Sequence, residues 1–455
     1  MTRALVTTPL FLLLGAGPLV AQPVASAQVP ARLTLEEALA RATANSHRLA
    51  ELRAREGASG AVLAQGRAAD LPVVSLQAGY ARTNHVDEFG VFQPDGSFRL
   101  FYPDVPDNWQ GRLDVRWPIY SGGRVGALER AADAEREASG KDLEQARADL
   151  RLETTRAFWA LVTAAESVRV VRGSVGRIEA QLADVRARFD QGFLPPNDVL
   201  TVEARVSQQR TLLIQTENQR DAARAELARL IGAPLDARFD ADGQLPPAPA
   251  SDVTAGGAGS RPTPAGEPGP PLDPSRADRE AQLLRVRAAE ERVEAAEAGA
   301  RPSLAVVAGF DYARPNPKIF PREDVWQSSW DVGINVTWSL WNGGRTAAEA
   351  SEARQLAEAT RQRLADLDSV IALEVRQRAL DLESARAQVV TAAAAARSAA
   401  EAQRVVRERF EAGVATNSDL LDAQVDLLEA ELDLTRARAT VRLAEARLAR
   451  ARGLL

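Results

Sequence analysis

The chain has 455 residues, no cysteine and a formal net charge of −6. Without cysteine there is no disulfide framework, no thiolate metal site and no cysteine nucleophile. Acidic and Arg side chains are interleaved, lysine is confined to Lys141 and Lys318, and no basic stripe marks a nucleic-acid footprint.

The first residues set a compartment. Arg3 gives a short basic start, Leu10 to Val20 form an apolar core, and Ala25-Ser26-Ala27 reads as a small-x-small cleavage site. The apolar run is shorter than the ~20 residues of a spanning helix. Residues 1–27 are therefore expected to be a secretory signal peptide, with Gln28 opening the mature chain. No cysteine stands at the cleavage site to be acylated, and no later run is long enough to cross a bilayer as a helix.

Helical sequence runs to Leu71 and is broken by Pro72. Val74, Leu76, Ala78 and Tyr80 then alternate with Ser75, Gln77 and Gly79. After the loop Arg82 to Asn108, Leu113, Val115, Trp117 and Ile119 alternate with Arg112, Asp114 and Arg116. Period two with one apolar and one polar face predicts strands lying between two different environments. Ser121-Gly122-Gly123-Arg124 closes the hairpin. No Gly-Lys-Ser/Thr follows, so this is no phosphate loop; the glycines relieve the backbone where a strand swings into a helix.

From Arg124 to Phe189 there is no proline and hardly a glycine, which predicts a helix of roughly 100 Å. Arg188-Phe189-Asp190-Gln191-Gly192 ends it, with Gly192 suited to a C′ position. Asn197 is placed to cap the next helix, and Asp198 is favoured in its first turn by the dipole. Val199, Val202, Val206, Leu213, Ala223, Leu227 and Leu230 give that helix a loose coiled-coil seam. Residues 233–273, crowded with Pro and Gly, are expected to be an irregular connector.

The chain then repeats itself. A helix from Ser275 to Ala300 leads to Pro302, and Leu304, Val306, Ala308, Phe310 and Tyr312 mark a third strand. Trp330, Val332, Ile334, Val336, Trp338 and Leu340 alternate with polar residues in a fourth, which closes on Asn342-Gly343-Gly344-Arg345. A second long helix is predicted from Arg345 to Phe410, ended by Gly413, with Thr416 as cap and Asp419 in the following first turn. Leu420, Leu427, Leu434, Val441 and Leu448 recur every seven residues, with Ala423, Ala430, Ala437, Ala444 and Ala451 in phase. That is an a/d seam of long antiparallel helices with alanine allowing close approach. Gly122 and Gly343, Arg188 and Arg409, and Asp198 and Asp419 are each 221 residues apart. One register for three landmarks means a duplication, giving repeats at 28–232 and 274–455.

Six of the seven tryptophans and all four tyrosines fall in or beside the hairpins, as in the aromatic girdle of a membrane barrel. Four strands cannot close a barrel, and open edges in lipid leave backbone groups unsatisfied. Two copies would give eight strands and a filled interior; three would give twelve and a pore. The fold expected is thus an α+β membrane protein: a shared 12-stranded transmembrane β-barrel, four strands per chain, continued by a long α-helical coiled-coil tunnel.

The duplicated unit, the two Gly-Gly-Arg turns and the tip motif Arg-Phe-x-x-Gly-x(5)-Asp-[Val/Leu]-Leu resemble the TolC-like outer-membrane efflux protein family over essentially the whole mature chain. The tip motif spans Arg188 to Leu200 and Arg409 to Leu421. The resemblance implies a homotrimer in outer-membrane lipid, with its tunnel in the periplasm. It also implies docking of the tips, with Arg188, Phe189, Gly192, Arg409 and Gly413, to a periplasmic adaptor (membrane fusion) protein and an inner-membrane pump or exporter. At the periplasmic gate it implies Asp419, Asp422 and Asp198, with an aromatic at Phe410. Family members bridge this entrance with a hydroxyl and an arginine, whereas this chain has Phe410 and Ala415 there, so a weaker closure is expected. A secreted coiled-coil protein without a pore would explain the signal peptide and heptads, but not the four aromatic-rimmed strands. No catalytic, cofactor or metal site is expected. His47 and His85 are the only histidines and Met1 the only methionine, and neither histidine has a nucleophile or second ligand at motif spacing.

Overall fold

The computed structural model describes residues 30–245 and 276–455. The expected signal peptide and residues 246–273 of the connector lie outside the described residues. In chain order, β1 (Arg32–Leu33) leads into α1 (Leu35–Asn45) and α2 (His47–Ala68). Then come β2 (Val73–Arg82), the small excursion β3 (Phe89–Phe92) and β4 (Phe98–Tyr102), and β5 (Asp107–Tyr120). α3 (Arg124–Asp190), α4 (Pro196–Leu230) and β6 (Asp240–Ala241) complete the first half. The second half comprises α5 (Ala277–Glu297), β7 (Ser303–Arg314), β8 (Gln327–Thr337), α6 (Arg345–Glu411) and α7 (Asn417–Ala451).

Corresponding helices match in length: α3 and α6 have 67 residues each, α4 and α7 35 each. Both long helices begin on paired left-handed glycines, Gly122 and Gly123 (φ 68° and 90°) and Gly343 and Gly344 (φ 69° and 83°). Only glycine adopts such φ at little cost. Space is short as well, since a Cβ on Gly122 would stand 3.0 Å from the Arg301 Cβ and 3.1 Å from the Ala298 carbonyl oxygen.

β2, β5, β7 and β8 form one antiparallel sheet in that order. Directly opposed residues share a face, and the register sorts the chemistry. Gln77, Arg112, Asp311 and Ser329 form one cross-sheet row, and Ser75, Asp114, Gly309 and Asp331 the next. On the other face Leu76, Leu113, Phe310 and Trp330 form a row, as do Val74, Val115, Ala308 and Val332. That apolar face is open: Leu76 is 75% exposed and Trp330 74%. The fourth strand is shorter than the alternation suggests. It ends at Thr337, and the Trp338 indole instead donates to the Ala300 carbonyl oxygen at 3.1 Å.

The largest core lies where α1, α2, α3 and the end of α4 meet, around Leu33, Leu49, Phe158, Leu161, Leu227 and Ile231. Residues 233–245 are mostly irregular but anchored to the core. β6 pairs in parallel with β1, Phe239 is buried in the core, and its carbonyl accepts from Arg224 Nε at 2.8 Å. Too few residues separate these anchors to build a period, so the composition alone dominated.

The helices divide into two antiparallel hairpins, α3 with α4 and α6 with α7, joined through α3 and α7. On the α7 seam, Leu420, Leu427, Val441, Leu448, Ala423, Ala437, Ala444 and Ala451 are buried, while Leu434 and Ala430 are half-buried. α3 is enclosed by α2, α4, α5 and α7, whereas α6 meets α5 and α7. Accordingly α3 buries 20 residues and α6, of equal length, 8.

Candidate functional site at the helical tips and the sheet face

Both long helices end in the same way. Phe193 N–H donates to the Arg188 carbonyl at 2.9 Å and Gly192 N–H to that of Phe189 at 2.8 Å. In the second half Val414 N–H donates to Arg409 at 2.9 Å and Gly413 N–H to Phe410 at 3.0 Å. These are paired 6→1 and 5→2 bonds, which require a left-handed C′ residue; Gly192 has φ 80° and Gly413 φ 76°. The following helices start differently. Thr416 and Asp419 form a capping box, with Asp419 N–H on Thr416 Oγ1 at 3.2 Å and Thr416 N–H on Asp419 Oδ2 at 2.9 Å. Asn197 does not cap α4: Pro195 occupies the N-cap with no side-chain bond, and Pro196 opens the helix. A proline at N1 has no N–H to satisfy, and the Asp198 N–H at N3 donates to the Pro195 carbonyl oxygen at 3.1 Å in place of a side-chain cap.

The tips are held together by contacts between the halves. The Arg188 guanidinium lies over the Phe410 ring, 4.8 Å from its centroid. Phe410 is buried with Ile178, Val185, Val202, Val206, Leu420 and Leu421. Beside this apolar cluster runs a ladder of buried amides. Gln181 Nε2 donates to Asn417 Oδ1 at 2.6 Å, and Gln424 Nε2 donates to Gln181 Oε1 at 2.8 Å. Asn417 Nδ2 reaches the Asp198 carbonyl oxygen at 3.4 Å, so α3, α4 and α7 share one network. These amides escaped the sequence reading. The available signal was spacing: Asn417 and Gln424 are seven apart, hence on one helix face.

Asp419 and Asp422 differ in use. The Asp419 carboxylate is engaged at the helix start, and the Thr416 backbone N–H and then its hydroxyl hold its pKa below the ordinary value of 3.8. Asp422 is 73% exposed at its side chain and lies 3.7 Å from Arg205 Nη2 of α4. An arginine thus stands near the second aspartate although position 415 holds alanine; being exposed, the pair is weak. Asp198 is half-buried in the first turn of α4. Phe189, Gly192, Arg409 and Gly413 are exposed at the tips.

On the polar sheet face, Arg112 donates to both oxygens of Asp311 at 3.0 and 2.9 Å and to Asp114 Oδ1 at 2.8 Å. His85 Nδ1 is 2.6 Å from Asp104 Oδ2, a bond within the loop joining β2 to β5, and His47 opens α2. The sheet therefore carries one ionic and one apolar surface, continuous with two helical hairpins whose tips are turned by glycine.

The model of the family described as outer membrane efflux protein matches residues 38–233 and 275–454. The chain belongs to the outer membrane efflux protein family. As a member it is an efflux channel of the cell outer membrane, with its helical part in the periplasm. It is 23% identical over 396 residues to the outer membrane protein TolC of Vibrio cholerae serotype O1, covering 86% of this chain and 83% of that one. It is 24% identical over 380 residues to the alkaline protease secretion protein AprF of Pseudomonas aeruginosa, covering 79% and 72%. The outer membrane protein VceC of Vibrio cholerae superposes with a TM-score of 0.74 at 17% identity, covering 92% of this chain and 96% of that structure. The fold of this efflux protein is that of the solved outer membrane protein.

Proposed function

We propose that three copies of this chain close one 12-stranded barrel in the outer membrane and that their helical hairpins continue it as a tunnel through the periplasm. The observation that carries this is the four-stranded sheet, whose apolar face is exposed and whose edges, β2 and β8, are open. Only closure satisfies such edges in lipid, and twelve strands leave a lumen for the ionic face. The missing neighbours of α6 support the same closure. Intrachain α3 packs on α7; by the 221-residue correspondence, α6 would pack on α4 of the next chain. Leu380, Val390 and Val405 on the tip half of α6 and Leu200 and Ile214 on α4 are all exposed.

Substrates would enter at the tips from a periplasmic adaptor and an inner-membrane pump or exporter and leave through the barrel. Both tripartite efflux and type I secretion are compatible with the relatives, one of which is named for protease secretion. Asp422 would ring the entrance, backed by Asp419 and Asp198, while Arg188, Phe189, Gly192, Arg409 and Gly413 would present the docking surface. No enzymatic step and no cofactor belong to this function. Reconstitution in planar bilayers tests it: discrete, cation-preferring conductance steps are expected, and a protein that inserts without conducting would exclude the channel.

A further inference from the structure

At the end of the sheet farthest from the helices, the segment between β7 and β8, residues 315–326, is folded onto the polar face. Asn316 is fully buried, and its amide donates to the Gln327 carbonyl and to Ser329 Oγ, both at 3.0 Å. Lys318 Nζ lies 2.7 Å from Asp311 Oδ2 and also pairs with Asp331. Both carboxylates belong to polar-face rows, Asp311 opposite Arg112 and Asp331 opposite Gly309. Gly309 makes the cluster possible, because a Cβ there would stand 2.6 Å from Arg112 Nη2. A carboxylate on an open, water-lined wall stays solvated, yet Asp311 is 1% exposed. The segment is also tied to the neighbouring loop. Arg322 donates to the Phe101 carbonyl at 3.2 Å and to Tyr102 Oη at 2.8 Å, and the Phe101 and Phe320 rings stack at 5.6 Å. Arg314 and Asp324 close its base at 2.8 Å.

We propose that residues 315–326 are a lid folded over the channel wall, latched by Lys318 to Asp311 and Asp331, so that three lids narrow the outer mouth. It rests on the shared-barrel function above. The latch is built to release. Lys318 and Asp331 are 38% and 48% exposed at their side chains, and ion pairs that wet are weak. When Lys318 leaves, Arg112 still holds Asp311 with two hydrogen bonds, so opening strands no buried charge. A passing substrate can displace the lid, and in its absence the mouth stays narrow to solutes from outside.

The absence of cysteine allows a clean test in intact cells with a polymer-tethered maleimide. Gln77→Cys lies on the polar row of Arg112 and Asp311, uncovered within one chain but on the lumen wall that the reagent reaches only past the three lids, and His85→Cys lies in the loop joining β2 to β5. Lys318→Met should speed labelling of Gln77→Cys about tenfold by raising the open population, while Lys318→Arg keeps the slow rate. Asp331→Asn, which loosens the latch and leaves Asp311 paired, should accelerate it in the same direction. His85→Cys should label quickly in every background. Equal Gln77→Cys rates with and without Lys318 and Asp331 would overturn the lid while leaving the barrel intact. If His85→Cys also resists the reagent, this end of the sheet does not face outward, and the lid falls together with the barrel.

Discussion

The Arg188 guanidinium sits 4.8 Å from the Phe410 ring centroid and donates to the Phe410 carbonyl at 3.4 Å. It joins the tip of the first half to the tip of the second. The duplicate of this pair is Arg409 with Phe189, and within one chain both are exposed, Phe189 by 39%. A ring of six hairpins made from three chains would bring Arg409 of one chain to Phe189 of the next.

Cysteines placed at Phe189 and Arg409 should therefore be bridged between chains by a short bis-maleimide, giving covalent dimers and trimers on denaturing gels. Cysteines at Arg188 and Phe410 should be bridged within a chain and leave a monomer band. The reverse pattern would mean that the halves are ordered differently around the ring.

The amide ladder should behave as a unit. Gln181→Ala removes the middle rung and leaves Asn417 and Gln424 short of partners, at a cost of about 1–3 kcal/mol in local stability. Replacing Gln181, Asn417 and Gln424 together by apolar residues of similar size should cost far less. Hydrogen exchange along 178–185 and 417–424 reads both; additive losses would show that the three side chains act independently.

Gly192→Val and Gly413→Val should stop export while oligomers still reach the outer membrane. A Cβ at either glycine meets nothing within 4 Å, so the penalty is the left-handed backbone, about 1–2 kcal/mol for an ordinary residue and more for a β-branched one. The turn reshapes and the rest of the hairpin does not. Wild-type export by the double variant would remove the tips from the docking surface.

Asp422 and Asp419 should separate in bilayer recordings. Asp422→Ala should relieve block by a trivalent cation more than Asp419→Ala does, because the Asp419 carboxylate is engaged with Thr416. Asp419 has its own pH signature. Its pKa is depressed from 3.8, so its stabilisation of the α7 start is complete above 3.8 and is lost as pH falls through the lower folded-state value. Hydrogen exchange at 416–420 should rise over that acid range in the native protein and lose that rise in Asp419→Asn. Equal relief of block by the two alanine variants would contradict the division.

The strands were legible because each carries two chemically different faces, and Leu113, Val115 and Trp117 against Arg112, Asp114 and Arg116 leave no other period. The long helices were legible from their lack of proline and their scarcity of glycine. The error at Asn197 came from reading a capping residue without weighing Pro195 and Pro196, which fix the backbone first. Lys318 with Asp311 and Gln181 with Asn417 were invisible for a different reason. Lys318 reaches Asp311 only because residues 315–326 fold back on β7, which no period records, and Gln181 and Asn417 are 236 residues apart on helices brought together by tertiary packing. Residues 233–245 lie between these cases: their order comes from β1, some two hundred residues earlier, and no local pattern announces it.

Native mass spectrometry of the detergent-extracted, conducting particle tests the central claim most directly. The shared barrel predicts three chains per particle and no conducting species of lower mass. A monomer or dimer that conducts in a planar bilayer would contradict closure of one barrel by three four-stranded sheets.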